Sequence, residues 1–126
     1  MQYDRHIEGI TTAYKAIDIP QPLADALARG EQDSFTRGRG SDYRGEVLIV
    51  SRPGGERGGM IVGRAILTSI CKNGRKFTYH LADAERMVEF PCQKCDNKEE
   101  VWSCFYTANT LTPYPKINIS RWIPRK

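Results

Sequence analysis

Histidine, long apolar runs and, through one extended stretch, lysine are what this sequence has least of. Two histidines, His6 and His80, are its whole supply of imidazole. His80 follows Tyr79 on an expected strand, where a structural role is the ordinary one, and no local signature marks a Cys–His nucleophilic pair. No apolar run approaches the length of a membrane span, so no membrane partner is expected. The opening MQYDRHIEG lacks the basic-then-apolar layout of a signal peptide. The expected compartment is therefore the cytoplasm, where Cys71, Cys92, Cys95 and Cys104 stay reduced and a disulfide framework is not expected. A second C-x-x-C is also missing. Without it the Cys92-x-x-Cys95 pair falls short of a zinc ribbon, because a closed tetrahedral site takes four ligands. No cofactor and no metal are expected; Cys92 and Cys95 are the weak candidates for a structural zinc.

What is present is ordinary globular composition on a modest positive charge. The chain has 126 residues, 27% charged and 40% hydrophobic, with a net charge of +4. That length builds one domain with a proper core. The cations are unevenly placed. From Arg37 to Arg64 the chain carries Arg37, Arg39, Arg44, Arg52, Arg57 and Arg64 without a single lysine, opposed only by Asp42, Glu46 and Glu56. Arginine's planar fork fits phosphate and base edges and stacks on rings, which points to nucleic acid. The competing reading is a solvated face on which long side chains cover apolar surface.

The elements are organised around Gly30–Ser51. Val47, Leu48, Ile49 and Val50 form an unbroken apolar, β-branched run that suits a strand buried on both faces. Polar groups gather at its two ends, with Arg37, Arg39, Tyr43 and Arg44 before it and Ser51 and Arg52 after it. Upstream, Ile17 and Ile19 alternate as a short strand, Pro22 opens a two-turn helix with Leu23, Ala26 and Leu27 on one face, and Gly30 ends it. Downstream, Met60–Cys71 is apolar on both alternations, and Asn73-Gly74 reads as the hairpin turn to a return strand at Lys76–His80. The glycine-rich stretch between Arg52 and Gly59 lacks the lysine spacing of a phosphate loop. Asp83–Glu89 reads as a short helix with Ala84, Met87 and Val88 on one side. Val101–Tyr106 reads as a strand packed on both faces, and Ile117 and Ile119 alternate once more before a basic end carrying Arg121 and Trp122. Residues 1–15 read as an arm or extra edge strand, and residues 16–126 as the domain proper. The expected class is α+β, a small, mostly antiparallel β-barrel with short flanking helices.

Ile19-Pro20-Gln21-Pro22 before the helix ending at Gly30, Tyr43-Arg44-Gly45-Glu46-Val47-Leu48-Ile49 running to Ser51, Gly59–Ala65, and the late Leu111-Thr112-Pro113-Tyr114-Pro115 resemble, in this order, the ASCH domain of the PUA-like superfamily. The resemblance spans about Ala16 to Ile119. It implies a PUA-like pseudo-barrel with a cleft between helix and sheet, in a family mostly inferred to bind RNA. It also implies, for some members, recognition of modified bases, hydrolysis of acetylcytidine or ribonuclease activity. The family signature after the helix, Gly-x-Lys-x-x-Glu-x-Arg, falls on Gly30, Gln32, Phe35 and Arg37, so the glycine and arginine match while the lysine and the acid are replaced. A glutamine amide neither abstracts a proton nor attacks a carbonyl.

The resulting expectation is a non-catalytic RNA-binding module whose cleft recognises a nucleotide, a modified one included. Gln32, Arg37, Arg39, Tyr43, Arg44, Ser51, Arg52, Arg121 and Trp122 are the expected nucleic-acid contacts, with arginines on phosphates and Tyr43 and Trp122 stacking on bases. The alternative is a hydrolase acting on a modified nucleoside or a phosphodiester, with Glu46, Asp33 or a cysteine as the acid–base group.

Overall fold

Val47, Leu48, Ile49 and Val50 are all buried, as an apolar run without alternation requires. They sit in a computed structural model that describes residues 11–52, 59–92, 99–107 and 110–113. The elements in chain order are β1 (Thr11–Ile19), α1 (Leu23–Ala28), β2 (Ser34–Arg37), β3 (Gly45–Ser51), β4 (Gly59–Asn73), β5 (Lys76–Cys92) and β6 (Trp102–Thr107). All six strands form one sheet in the order β2-β5-β4-β3-β1-β6. Only β1 and β3 pair in parallel; the remaining neighbours are antiparallel.

Alternation along β3 divides the interior in two. Val47 and Ile49 join a core with Ile17, Ile19, Leu27, Phe35, Ala65, Leu67 and Tyr79, which α1 covers. Leu48 and Val50 face the other way, onto Ala16, Ile61, Met87, Cys92, Trp102 and Cys104. The second core joins strands that are far apart in the sheet order. The end of β5 meets β6, where the rings of Phe90 and Tyr106 sit edge to face at 5.5 Å and the Tyr106 hydroxyl lies 3.4 Å from the Pro91 carbonyl. The sheet is thus rolled upon itself, yet β2 and β6 remain its two edges among the described residues.

α1 ends as the sequence requires, with Gly30 at φ 78° just past the C-cap Arg29. Its buried face is Ala24, Leu27 and Ala28, with Leu23 packed alongside; the expected Ala26 is only half-buried. The β4–β5 turn is Gly74-Arg75, one residue later than expected, because Asn73 still pairs with Lys76.

Two expectations are corrected. Asp83–Glu89 is not a helix but the middle of β5, so α1 is the one described helix. Strand β5 carries extra residues against β4: Ile61 and Gly63 are two apart, while their partners Phe90 and Arg86 are four apart. Such bulges break the period of two and leave Ala84, Met87 and Val88 at spacings that mimic a helical stripe. β6 is packed fully on one face only. Trp102 and Cys104 are buried, but on the opposite face the cover ends at Val101, and Phe105 is 62% exposed.

Residues 11–15, expected in an arm or extra edge strand, begin β1 and pair with β6. Residues 1–10, Arg57 with the glycine-rich stretch, Cys95, Tyr114, Ile117, Ile119, Arg121 and Trp122 lie outside the described residues.

Candidate nucleic-acid interface

The parallel pairing of β1 with β3 sets Lys15 beside the chain that enters β3, and the segment before β6 closes the third side. The result is an open cleft of about 420 Å³ lined by Lys15, Arg39, Ser41, Tyr43, Glu99 and Glu100, among others. That volume is in the range of small-ligand sites. Lys15 Nζ lies 5.7 Å from the centre of the Tyr43 ring and donates to Ser103 Oγ at 3.0 Å. The Tyr43 hydroxyl donates to the Glu46 carbonyl at 2.8 Å, so the ring that lines the cleft is fixed at its far end. Ammonium and phenol are thus held together before any ligand arrives.

Beneath the cleft is Tyr79, fully buried, whose hydroxyl donates to the Arg39 carbonyl at 2.6 Å. Burial raises its pKa; the Glu100 carboxylate adds to the rise, while Arg37, Arg44 and Arg39 oppose it. Three of the arginines singled out in the sequence therefore do converge, around one phenol.

Their guanidinium groups are in different states. Arg37 donates to the Asp18 carbonyl and lies 3.2 Å from Glu100 Oε1, both side chains only 17% exposed. Glu100 Oε1 is shut from solvent without an aligned hydrogen bond, so charge rather than directed bonding holds the pair. Arg37 also lies over the Phe35 ring, centred 5.7 Å away, which places Phe35 in the core rather than in the cleft. Arg52 is likewise engaged, its Nε 3.1 Å from Asp18 Oδ2 and its Nη2 donating to the Asp18 carbonyl at 3.2 Å. The same Asp18 faces Trp102 Nε1 at 3.4 Å through Oδ1.

Arg39 and Arg44 differ from these. Both are exposed, and neither is ion-paired to a carboxylate among the described residues. One nitrogen of Arg44 donates to the Ser41 and Tyr43 carbonyls at 2.9 and 2.7 Å, which shapes the loop and leaves the rest of the fork outward.

Gln32 is exposed and donates to the Ser34 carbonyl at 2.9 Å, so its amide caps the turn into β2 and does not line the cleft. Ser51 ends β3 paired with Ile19 and Met60, also away from the cleft. Glu46 and Asp33, the acids of the hydrolase alternative, are not in the cleft either. Glu46 is 2.8 Å from Arg64, which also reaches Glu85 at 3.1 Å. Asp33 is exposed, with its carbonyl accepting from Leu81 N–H.

Lys15, Ser41, Glu99 and Glu100 are the lining groups that sequence reasoning missed. Lys15 fell in the stretch read as an arm or extra edge strand, and no motif in the sequence marks Glu99-Glu100. Only the pairing of β1 with both β3 and β6 makes them neighbours.

No helix among the described residues is long and apolar enough to cross a membrane. No family model and no curated protein matches the chain.

Proposed function

We propose that this protein is a non-catalytic RNA-binding module of the ASCH, PUA-like kind, whose cleft takes a single unstacked nucleotide. The observation that carries the reading is the cleft itself, where Lys15 and the ring of Tyr43 stand together and Arg39 and Arg44 extend from the same loop with no ion pair to a carboxylate among the described residues. A flipped base stacks on the phenol face, Lys15 and Arg39 hold the flanking phosphates, and Arg44 holds the next one along. The exposed carboxylate of Glu99, which also lines the cleft, accepts a hydrogen bond from an exocyclic amine, which lets the same pocket discriminate among bases or their modified forms. The rolled, mostly antiparallel sheet with one short helix supports the PUA-like reading of the fold.

The test is binding of a fluorescent single-stranded RNA of about ten nucleotides across a salt series. Wild-type affinity falls steeply with salt because binding releases condensed counterions. Arg39→Ala with Arg44→Ala flattens that slope by about one to two phosphate contacts and weakens binding on the order of tenfold. Tyr43→Ala weakens binding by ~1–3 kcal/mol, the worth of one base–aromatic stack, with the slope unchanged. Wild-type affinity in both variants, with the salt slope of the double variant also unchanged, would reject the interface.

A further inference from the structure

Outside the cleft one large ring stands in water. Phe105 is 62% exposed, the most exposed large hydrophobic side chain among the described residues. Alternation along β6 turns it away from buried Trp102 and Cys104 and onto the face of Ser103. The antiparallel register sets Ser103 opposite Lys15, and Phe105 opposite Ala13. Lys15 Nζ bonds Ser103 Oγ at 3.0 Å, so the ammonium lies on this same face. On the other side of β1 is Tyr43. Its ring packs over Gly45, where a Cβ would meet the hydroxyl at 2.9 Å, and the parallel register that sets Ala16 beside Leu48 brings Gly45 about level with Ala13. In the sheet order β3-β1-β6 the two rings therefore flank β1, about two strand spacings or ~10 Å apart. Between them lie only the exposed methyl of Ala13 and the ammonium of Lys15, 5.7 Å from the Tyr43 ring centre.

We propose that Phe105 is a second base-stacking platform, so that the ligand is a single-stranded oligonucleotide of two or more residues and not a free nucleotide. The inference rests on the nucleotide reading of the cleft. One base stacks on Tyr43, its neighbour in the strand stacks on Phe105, and Lys15 takes the phosphate that joins them. Ala13 leaves open the floor on which the connecting sugar passes. A lone ring set among Ala13, Ser103 and an ammonium offers too little apolar surface for a stable contact with another protein, which takes on the order of 800 Å² from each partner. A base asks for one ring face, and its phosphate for one cation.

The test compares two ligands, a fluorescent ten-nucleotide oligoadenylate RNA and adenosine monophosphate followed by NMR titration. Phe105→Ala is expected to bind the ten-mer about tenfold more weakly than wild type, the worth of one stack. Its salt slope is unchanged, because no charge is removed. Its affinity for the mononucleotide is that of wild type, whereas Tyr43→Ala weakens both ligands. Phe105→Trp keeps the ten-mer affinity. Wild-type ten-mer affinity in Phe105→Ala, with Tyr43→Ala impaired, would overturn the second platform and leave the cleft reading standing. Equal losses for the mononucleotide and the ten-mer in Phe105→Ala would make the ring a structural part of the cleft. A wild-type dimer in sedimentation that Phe105→Ala turns to monomer would give the ring to a second copy of the chain. Absence of any salt-dependent RNA binding by the wild type would remove the cleft reading and the second platform together.

Discussion

Arg37 and Glu100 neutralise each other inside the protein, 3.2 Å apart and each only 17% exposed. Arg37, expected from the sequence as a nucleic-acid contact, is therefore an internal clamp, tying β2 to the segment before β6 and to the carbonyl of Asp18. Removing it leaves a carboxylate whose Oε1 is already sealed from water.

Arg37→Ala is expected to lower stability by about 3 kcal/mol, the low end for breaking a buried pair because neither partner is fully buried. Combining it with Glu100→Gln recovers part of that loss, since the stranded charge goes with its partner. Urea unfolding of the two single variants and the double measures the coupling. A fully stable Arg37→Ala that has lost RNA affinity would instead make Arg37 a ligand contact.

Thiolate formation at Cys92 makes stability depend on pH in one direction. Its folded pKa is about 7 against an ordinary 9.0, so the native state releases the proton first. The stabilisation is complete above the unfolded value and is lost as pH falls through the folded one. Compared with Cys92→Ser, the wild type should gain in denaturation midpoint as pH rises from about 7 to 9. The 240 nm thiolate absorbance, taken as a difference from the same variant, should titrate near 7. The hydrogen bonds from Cys104 and Tyr106 lower this pKa against the opposing effect of burial, and a difference titration centred at an unperturbed thiol's value would rule them out as the cause.

At Gly63 α1 comes close against the sheet. A Cβ at this position would lie 2.6 Å from Ala28 Cβ and 3.0 Å from the Glu85 carbonyl. Gly63→Ala must push the helix off the strand and should destabilise by about 2–3 kcal/mol, as overpacking a core does. Thermal unfolding reads it directly, and a neutral substitution would mean that α1 is loosely seated.

Acetylcytidine should emerge intact from incubation with the protein. Gln32 has no basic atom and its amide is turned to the Ser34 carbonyl. Gln32→Lys restores the signature residue but not the replaced acid at Phe35, which is buried under Tyr79 with ring centres 5.1 Å apart. Chromatography for free cytidine gives the answer. Turnover above the uncatalysed rate, abolished by Lys15→Ala, would mean that the cleft lysine had taken over the chemistry.

How much of this could be read from the sequence depended on how local the signal was. The burial of Val47–Val50, the glycine end of α1 and the long Met60–Cys71 strand were legible because neighbouring residues specify each one. The Asp83–Glu89 segment was misleading because its bulges are set by pairing with β4, which no local pattern records. The arginines were visible as a group, but not their sorting. Which are neutralised depends on Asp18, Glu46, Glu85 and Glu100 arriving from distant parts of the chain. The cleft itself depended on strand order, since Lys15 and Tyr43 meet only once β1 lies beside β3.

Of the six described strands β1 is synthesised first and completed last. It lies between β3 and β6 in the sheet, and the Lys15–Ser103 bond across its outer edge joins residues 88 apart in sequence. The β4–β5 hairpin turns in two residues and forms at short range, ahead of such distant pairing. A ribosome-bound chain halted before Trp102 therefore carries a strand with one bare edge and an open apolar core, with Ala16 and Leu48 lacking the indole that completes it. That intermediate exposes a pairing edge and apolar surface that the finished fold covers, the two features that invite aggregation.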